Sequence, residues 1–305
     1  MESDYHFTVM KNEAIKNLNL KRNGTYLDAT LGMGGHTDQI SKTRNDIKKI
    51  ICLDNDINSI KLAKIRLAKF DDKIEFICGN FKDIDKLINE KVDGVILDLG
   101  ISTYQLLNAD RGFSFKSGNK LDMRISLEQE LTAHEIVNTF SVDKISEILK
   151  NYGEEKNHFK IASEIARQRT RCEISTADEL NKIIKKINKN SSKINSSTRT
   201  FQALRIAVNN ELDAIEKFLE KSEYILNKGA RLVVITFHSL EDRIVKKFFK
   251  LSESKCLCPE SRMMCDCKKK QTLKIITKKP IRPSVEEVLE NPSSRSAKMR
   301  IGEAI

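Results

Sequence analysis

The chain has 305 residues, enough for a sizeable core and for one large domain or about two ordinary ones, so it is expected to fold without disulfide staples. Lysine and arginine number 54 against 43 aspartate and glutamate, a net charge of +11, which favours acidic partners, nucleic acid first and a membrane surface a poor second. No apolar run reaches the ~18 to 20 residues that span a bilayer, and Met-Glu-Ser-Asp-Tyr-His lacks the features of a secretion signal, so a cytoplasmic protein with no membrane partner is expected.

An amphipathic helix is expected over residues 12–20. Next comes Thr25-Tyr-Leu-Asp-Ala-Thr-Leu-Gly-Met-Gly-Gly-His36, a short apolar strand running through a glycine turn into a helix. Gly32, Gly34 and Gly35 carry no Cβ, so the turn can take positive φ and a ligand can approach the main chain, while the helix directs free N–H groups into the same space. A second apolar strand, residues 48–54, ends at Asp54, about 20 residues downstream, the spacing at which a carboxylate reaches a ribose diol. The turn reads G-x-G-G, with Thr37 in place of the third glycine of dinucleotide sites, which disfavours a pyrophosphate and a nicotinamide oxidoreductase. Asp28, just before the turn, fits the acid-then-glycines pattern of methyltransferases, although Thr30 stands where the first glycine is usual.

Alternation continues with a helix over 56–70, a strand over 73–77 and a strand over 92–98, arguing for a parallel sheet covered on both faces by helices. Phe81 follows the third strand, placed either to flank an adenine or to join the core. Asp98 ends the fourth strand, where ligands bind in open α/β sheets; it is the candidate polar group for chemistry, with helix capping as the alternative. From Arg111 the alternation stops. A helical insertion of roughly 100 residues follows, with caps expected at Thr132, Ser141 and Thr176, one long helix over 198–226, and basic side chains at Arg167, Arg169, Arg171 and along 182–193. A basic lobe of this kind suits a polyanion, or is simply a solvated face.

The sheet resumes over 227–237, and His238 and Arg243 follow its carboxyl end beside Ser239, Glu241 and Asp242, candidates to lie near substrate. No G-x-S-x-G elbow is present. Of the seven cysteines, Cys52, Cys78 and Cys172 read as reduced, buried thiols. Cys256, Cys258, Cys265 and Cys267 form two C-x-C pairs that could bind zinc or stand as surface thiols. Two strands, over 273–277 and 297–301, are expected to finish the sheet as an antiparallel pair.

Together DATLGMGGH at 28–36, LDLGIS at 97–102, RGFSF at 111–115, LDMR at 121–124, YGEE at 152–155, TRTFQALRIAVNNEL at 198–212, FHSLEDRIVKKFF at 237–249 and NPSSRSAKMR at 291–300 resemble the ribosomal small subunit methyltransferase H family over nearly the whole chain. The resemblance implies a Rossmann-like class I α/β methyltransferase with an inserted all-helical domain. Its parts would be residues 1–110, the helical substrate-recognition domain 111–212, and the second methyltransferase segment 213–305. It implies methylation of the N4 of a cytidine in 16S ribosomal RNA, in the decoding region of the small subunit, with S-adenosylmethionine as donor. Its cofactor contacts fall on Gly34, Gly35, His36, Asp54, Phe81, Asp98 and Gln105; it brings no metal. The chain departs from the family at Thr103, Leu107 and Ser293, where Ser, Asp and Arg are usual.

The cytosine amine is a poor nucleophile because its lone pair is delocalised, so Asp98, or Ser102 with a neighbouring carbonyl, is the candidate to accept an N–H and turn that lone pair toward the methyl. A target base must leave its stack, and Arg111, Phe113, Phe115 and Arg124 are candidates to hold it. The alternatives are an amino-methyltransferase on DNA or another RNA, disfavoured on DNA because Asp98-Leu-Gly-Ile replaces the usual Asn/Asp-Pro-Pro-Tyr, and a non-catalytic ribosome-assembly factor.

Overall fold

The computed structural model describes residues 8–101, 105, 111–114, 120–188, 196–256, 258 and 267–305. The chain divides into two compact units, Met1–Gly100 with Leu212–Ile305, and Ile101–Glu211. The second begins ahead of Arg111 because Ile101 already packs on the helical unit's core.

In the first unit α1 (Lys11–Leu18) precedes β1 (Thr25–Asp28), α2 (Gly35–Thr43), β2 (Lys49–Asp54), α3 (Ile57–Leu67), β3 (Ile74–Cys78), α4 (Ile84–Leu87) and β4 (Val92–Asp98). The 7-stranded sheet is completed after the insertion by β5 (Leu226–Thr236), β6 (Leu273–Ile275) and β7 (Lys298–Ala304), in the order β3-β2-β1-β4-β5-β7-β6. The first five strands are parallel and β7 runs antiparallel to both β5 and β6. Alternation along the strands loads both faces. Ile96, Val233 and Ile235 join the core beneath α1, α2 and α3, while Val95, Leu97, Leu232 and Val234 join a second core with Phe218, Leu219 and Phe249. Strands buried on both sides in this way need helices on both sides.

The helical unit holds α5 (Ala133–Thr139), α6 (Val142–Gly153), α7 (His158–Arg169), α8 (Ala177–Ile187) and α9 (Ser196–Asn209) around their own core. Thr132, Ser141 and Thr176 cap their helices, but only Thr176 completes a capping box, with Glu179. The stretch expected as one helix over 198–226 is two, α9 and α10 (Glu211–Ile225), because Asn210 takes φ 51°, a left-handed conformation that ends a helix. Gly153 is needed where α6 meets α9: a Cβ there would lie 2.8 Å from the Arg199 carbonyl oxygen. The expected basic face is partly engaged, with Arg167 paired to Glu164, Lys182 to Asp178, and Arg169 donating to the Val137 carbonyl.

Cys52 is buried, as expected, but Cys78 and Cys172 are exposed, because Cys78 ends the edge strand β3 and Cys172 lies in the turn after α7. Among the described residues no helix is long and apolar enough to cross a membrane.

Candidate functional site

Three carboxylates end three neighbouring parallel strands, Asp28 on β1, Asp54 on β2 and Asp98 on β4. This edge of an open α/β sheet is where ligands bind. Between β1 and α2 the chain turns with Gly32 at φ 52° and Gly34 at φ 77°, and α2 opens on Gly34 with no side-chain cap on its leading N–H groups. A Cβ on Gly34 would meet Leu67 Cδ1 at 2.8 Å, and one on Gly35 would meet Thr8 Oγ1 at 1.7 Å. The missing Cβ atoms therefore first make room for α3 and for the segment ahead of α1, a structural reason beside the expected ligand approach.

Asp28 is fully buried; its Oδ2 accepts from Thr37 Oγ1 at 2.7 Å and its Oδ1 from the Thr30 amide at 3.4 Å. Burial raises its pKa, against His36 and Thr37, which lower it. Asp54 is half-buried, its two oxygens accepting from the Gly32 amide at 2.7 Å and the Asp56 amide at 2.8 Å. Burial pushes its carboxyl up to about 6, although both N–H groups pull it down. Asp98 is held through its backbone, whose N–H donates to Thr30 Oγ1 at 2.7 Å. Its Oδ2 lies 3.4 Å from His36 Nε2, close enough for an ion pair but not a well-formed hydrogen bond, and its buried Oδ1 has no partner among the described residues. His36, 4% exposed, stands in the first turn of α2 with both ring nitrogens unsatisfied. Burial disfavours its charge, yet the Asp98 and Asp28 carboxylates outweigh that and raise its pKa.

Phe81 follows β3, half-buried, with its ring edge-on to Phe218 at 5.7 Å and an interplanar angle of 85°. Glu287, in α12 (Val285–Glu290), accepts from the Met10 amide at 2.7 Å, and burial raises its pKa, with the Asp98 charge contributing. His238 is the N-cap of α11 (Ser239–Glu253) and shares a capping box with Glu241, whose Oε1 lies 3.0 Å from His238 Nε2. The Phe237 amide donates to Glu241 Oε2 at 2.7 Å, so the residues after β5 are fixed by a helix cap, which accounts for His238 without a substrate. Arg243 is exposed on the same helix.

In the helical unit three of the expected substrate contacts have structural partners of their own. Arg111, 5% exposed, donates through Nη1 to the Arg124 and Ile125 carbonyls at 3.0 and 2.9 Å. Phe113, 7% exposed, belongs to the apolar core, so its face is closed to a base. Arg124 forms a bidentate pair with Asp122, at 2.9 and 2.8 Å, and also donates to the Gln129 carbonyl. The glycine between Arg111 and Phe113 is equally structural: Gly112 has φ 67°, and a Cβ would lie 2.1 Å from the Lys120 carbonyl oxygen. Gln105 falls in this unit and is buried. Ser102 and Phe115 lie outside the described residues.

Sequence reasoning named Thr30 and Thr37 only as departures from glycine patterns, and Glu241 only as a neighbour of His238, without the partners they hold. Thr30 was legible only as a break in the glycine pattern, whereas His238-Ser-Leu-Glu241 has capping-box spacing, with His in place of Ser or Thr.

The strand order with its antiparallel β7, the glycine turn after β1 and the acid ending β2 define a class I, Rossmann-like S-adenosylmethionine-dependent methyltransferase. The sequence profile of the MraW methylase family matches residues 3–305, and the chain belongs to that family. It is similar to "Ribosomal RNA small subunit methyltransferase H" of Clostridioides difficile, 44% identical and covering 99% of each chain. It is also similar to the protein of that name from Clostridium botulinum strain Kyoto, 47% identical over 97% of each. Among solved structures, it is similar to a putative rRNA-methylase from Clostridium thermocellum, 12% identical over 98% of this chain and 99% of that one, with a TM-score of 0.47.

Proposed function

We propose that this chain methylates the N4 amino group of a cytidine in 16S ribosomal RNA, in the decoding region of the small subunit, with S-adenosylmethionine as methyl donor. The relatives' shared name, a ribosomal RNA small subunit methyltransferase, supports the substrate class, and the net charge of +11 suits a polyanion.

The strand ends fit the cofactor. A carboxylate at the end of β2 suits a ribose diol, the uncapped start of α2 offers N–H donors, and the surplus of carboxylate over imidazole suits a ligand of net positive charge. Gly34, Gly35, His36, Asp54 and Asp98 would hold it, with Phe81 beside the adenine. When bound, it supplies a methyl group on a sulfonium, open to in-line attack.

One observation carries the chemistry: the buried Oδ1 of Asp98, at the end of β4, has no donor among the described residues. It accepts a hydrogen bond from the exocyclic amine, fixing the lone pair toward the methyl and drawing off positive charge as the N–C bond forms. His36, 3.4 Å away, faces the second oxygen and helps to orient the carboxylate.

The test is tritiated methyl transfer to small subunits from cells lacking this gene, followed by nucleoside mass spectrometry. N4-methylcytidine at one position is expected. Label on another nucleoside, or cofactor binding with no transfer to subunits or extracted RNA, would overturn the reading, and the second outcome would favour an assembly factor.

A further inference from the structure

Three thiols converge between α11 and β6, on a part of the chain that methyl transfer does not use. The Sγ atoms of Cys256, Cys258 and Cys267 all lie within 4.8 Å of one another. Cys256 and Cys267 are 3.8 Å apart, sulfur to sulfur. That is far beyond the ~2.05 Å of a disulfide. It matches the edge of a tetrahedron whose centre bonds sulfur at ~2.3 Å, which is about 3.8 Å.

A second observation concerns position and charge. The Cys258 amide donates to Cys256 Sγ at 3.3 Å, which fixes that sulfur beside the other two. Lys255 and the run Lys268, Lys269 and Lys270 adjoin the cysteines in sequence and offset the negative charge that several thiolates would gather. The segment also has a reason to be stapled. Its ends are brought together where the Thr272 amide donates to the Ser252 carbonyl at 2.9 Å, and no disulfide joins these cysteines.

We propose that Cys256, Cys258 and Cys267 together bind one zinc ion, which fixes the connection from α11 to the edge strand β6. Soft thiolates in tetrahedral disposition select zinc among the abundant divalent cations, with no redox step involved. Cys265 lies outside the described residues and is not counted among the ligands. The site is independent of the proposed RNA substrate.

The test is elemental analysis of the full chain, purified without a metal-affinity tag or chelator, together with reconstitution by cobalt(II). About one zinc per chain is expected, along with the sulfur-to-cobalt charge-transfer band of tetrahedral thiolate coordination. The double variant C256S/C267S should lose at least about tenfold in retained zinc while its affinity for S-adenosylhomocysteine stays unchanged. Should that variant fail to fold, titrating the wild-type thiols with an organomercurial in the presence of a zinc-sensing dye gives the same information, zinc release tracking thiol blockage. A chain that carries neither zinc nor a cobalt–thiolate band would overturn the proposal. So would zinc retained undiminished by the double variant, or not released as the thiols are blocked.

Discussion

Acidification should weaken cofactor binding through Asp54. Burial pushes this carboxyl up to about 6, and the ionised form is the one that can accept both hydroxyls of a ribose diol. Below that value each further pH unit costs up to tenfold in affinity, so Kd at about pH 5 should be about tenfold that at about pH 7, or ~1.4 kcal/mol. The same group acts on the unliganded fold with the opposite sign. Its folded pKa lies above the ordinary carboxyl value of 3.8, so ionisation is disfavoured by folding. The penalty is complete above about 6 and vanishes as the pH falls toward the unfolded value, amounting to ~3 kcal/mol at most. In Asp54→Asn one amide oxygen replaces the two carboxylate oxygens that accept from Gly32 and Asp56. The donor left facing an NH₂ group costs ~1–3 kcal/mol, which offsets the relieved burial penalty, so stability should change little while affinity falls. Calorimetry with S-adenosylhomocysteine, in two buffers of different ionisation enthalpy, should show proton release near pH 6 that disappears in the variant. A flat wild-type profile would refute the assignment, and an equal slope in Asp54→Asn would shift the titration to His36 or Glu287.

Asp98→Asn should slow single-turnover methylation by on the order of a hundredfold or more, and a wild-type rate would end the proposed polarising role. Thr30→Val removes the acceptor of the Asp98 N–H, so urea denaturation should show a loss of ~1–3 kcal/mol that Thr30→Ser largely restores; equal stability of the valine variant would count against the hydrogen bond. Phe113→Ala should destabilise the helical unit by ~3–5 kcal/mol, measured by thermal unfolding. A variant as stable as wild type that binds RNA less well would return Phe113 to the role of a base-stacking ring.

The sheet was readable in the sequence because its strands are short apolar runs closed by polar residues, and Asp54 and Asp98 stood out as the charges ending such runs. Hydrophobic pattern located both core faces without any knowledge of pairing. The exact partners of the strand-end carboxylates were not readable. Thr30 lies 68 positions from Asp98, and its hydroxyl reaches the Asp98 amide only because β1 and β4 pair in parallel. The structural partners of the arginines and Phe113 were hidden for a related reason. Residue type suggests nucleic-acid contact, but Arg111 and Arg124 satisfy backbone carbonyls of an irregular segment that has few ladder bonds of its own. The break at Asn210 was equally hidden, since Thr198 to Leu212 and the residues after it keep helical composition and only the local φ separates the two helices.

The three strand-end acids also differ in how much hydrogen-bonding capacity they have left, and that difference assigns their work. An ionised carboxylate offers about four lone-pair positions. Asp28 spends its oxygens on Thr37 and Thr30 in full burial, so its part is to set the turn and to bias His36 toward its charged form. Asp54 has a backbone donor on each oxygen and remains half-exposed, so it is held in place with lone pairs still facing outward. Asp98 is anchored by its main chain rather than its side chain, and its carboxylate has only the long contact to His36. A buried oxygen without a donor costs on the order of 1–3 kcal/mol or more, a cost the fold bears at Oδ1 although a hydroxyl or amide nearby would relieve it. Placement at a ligand-binding strand end, a rigid backbone and an unfilled acceptor converge on this one residue, which is why the proposed contact with the exocyclic amine is assigned to it.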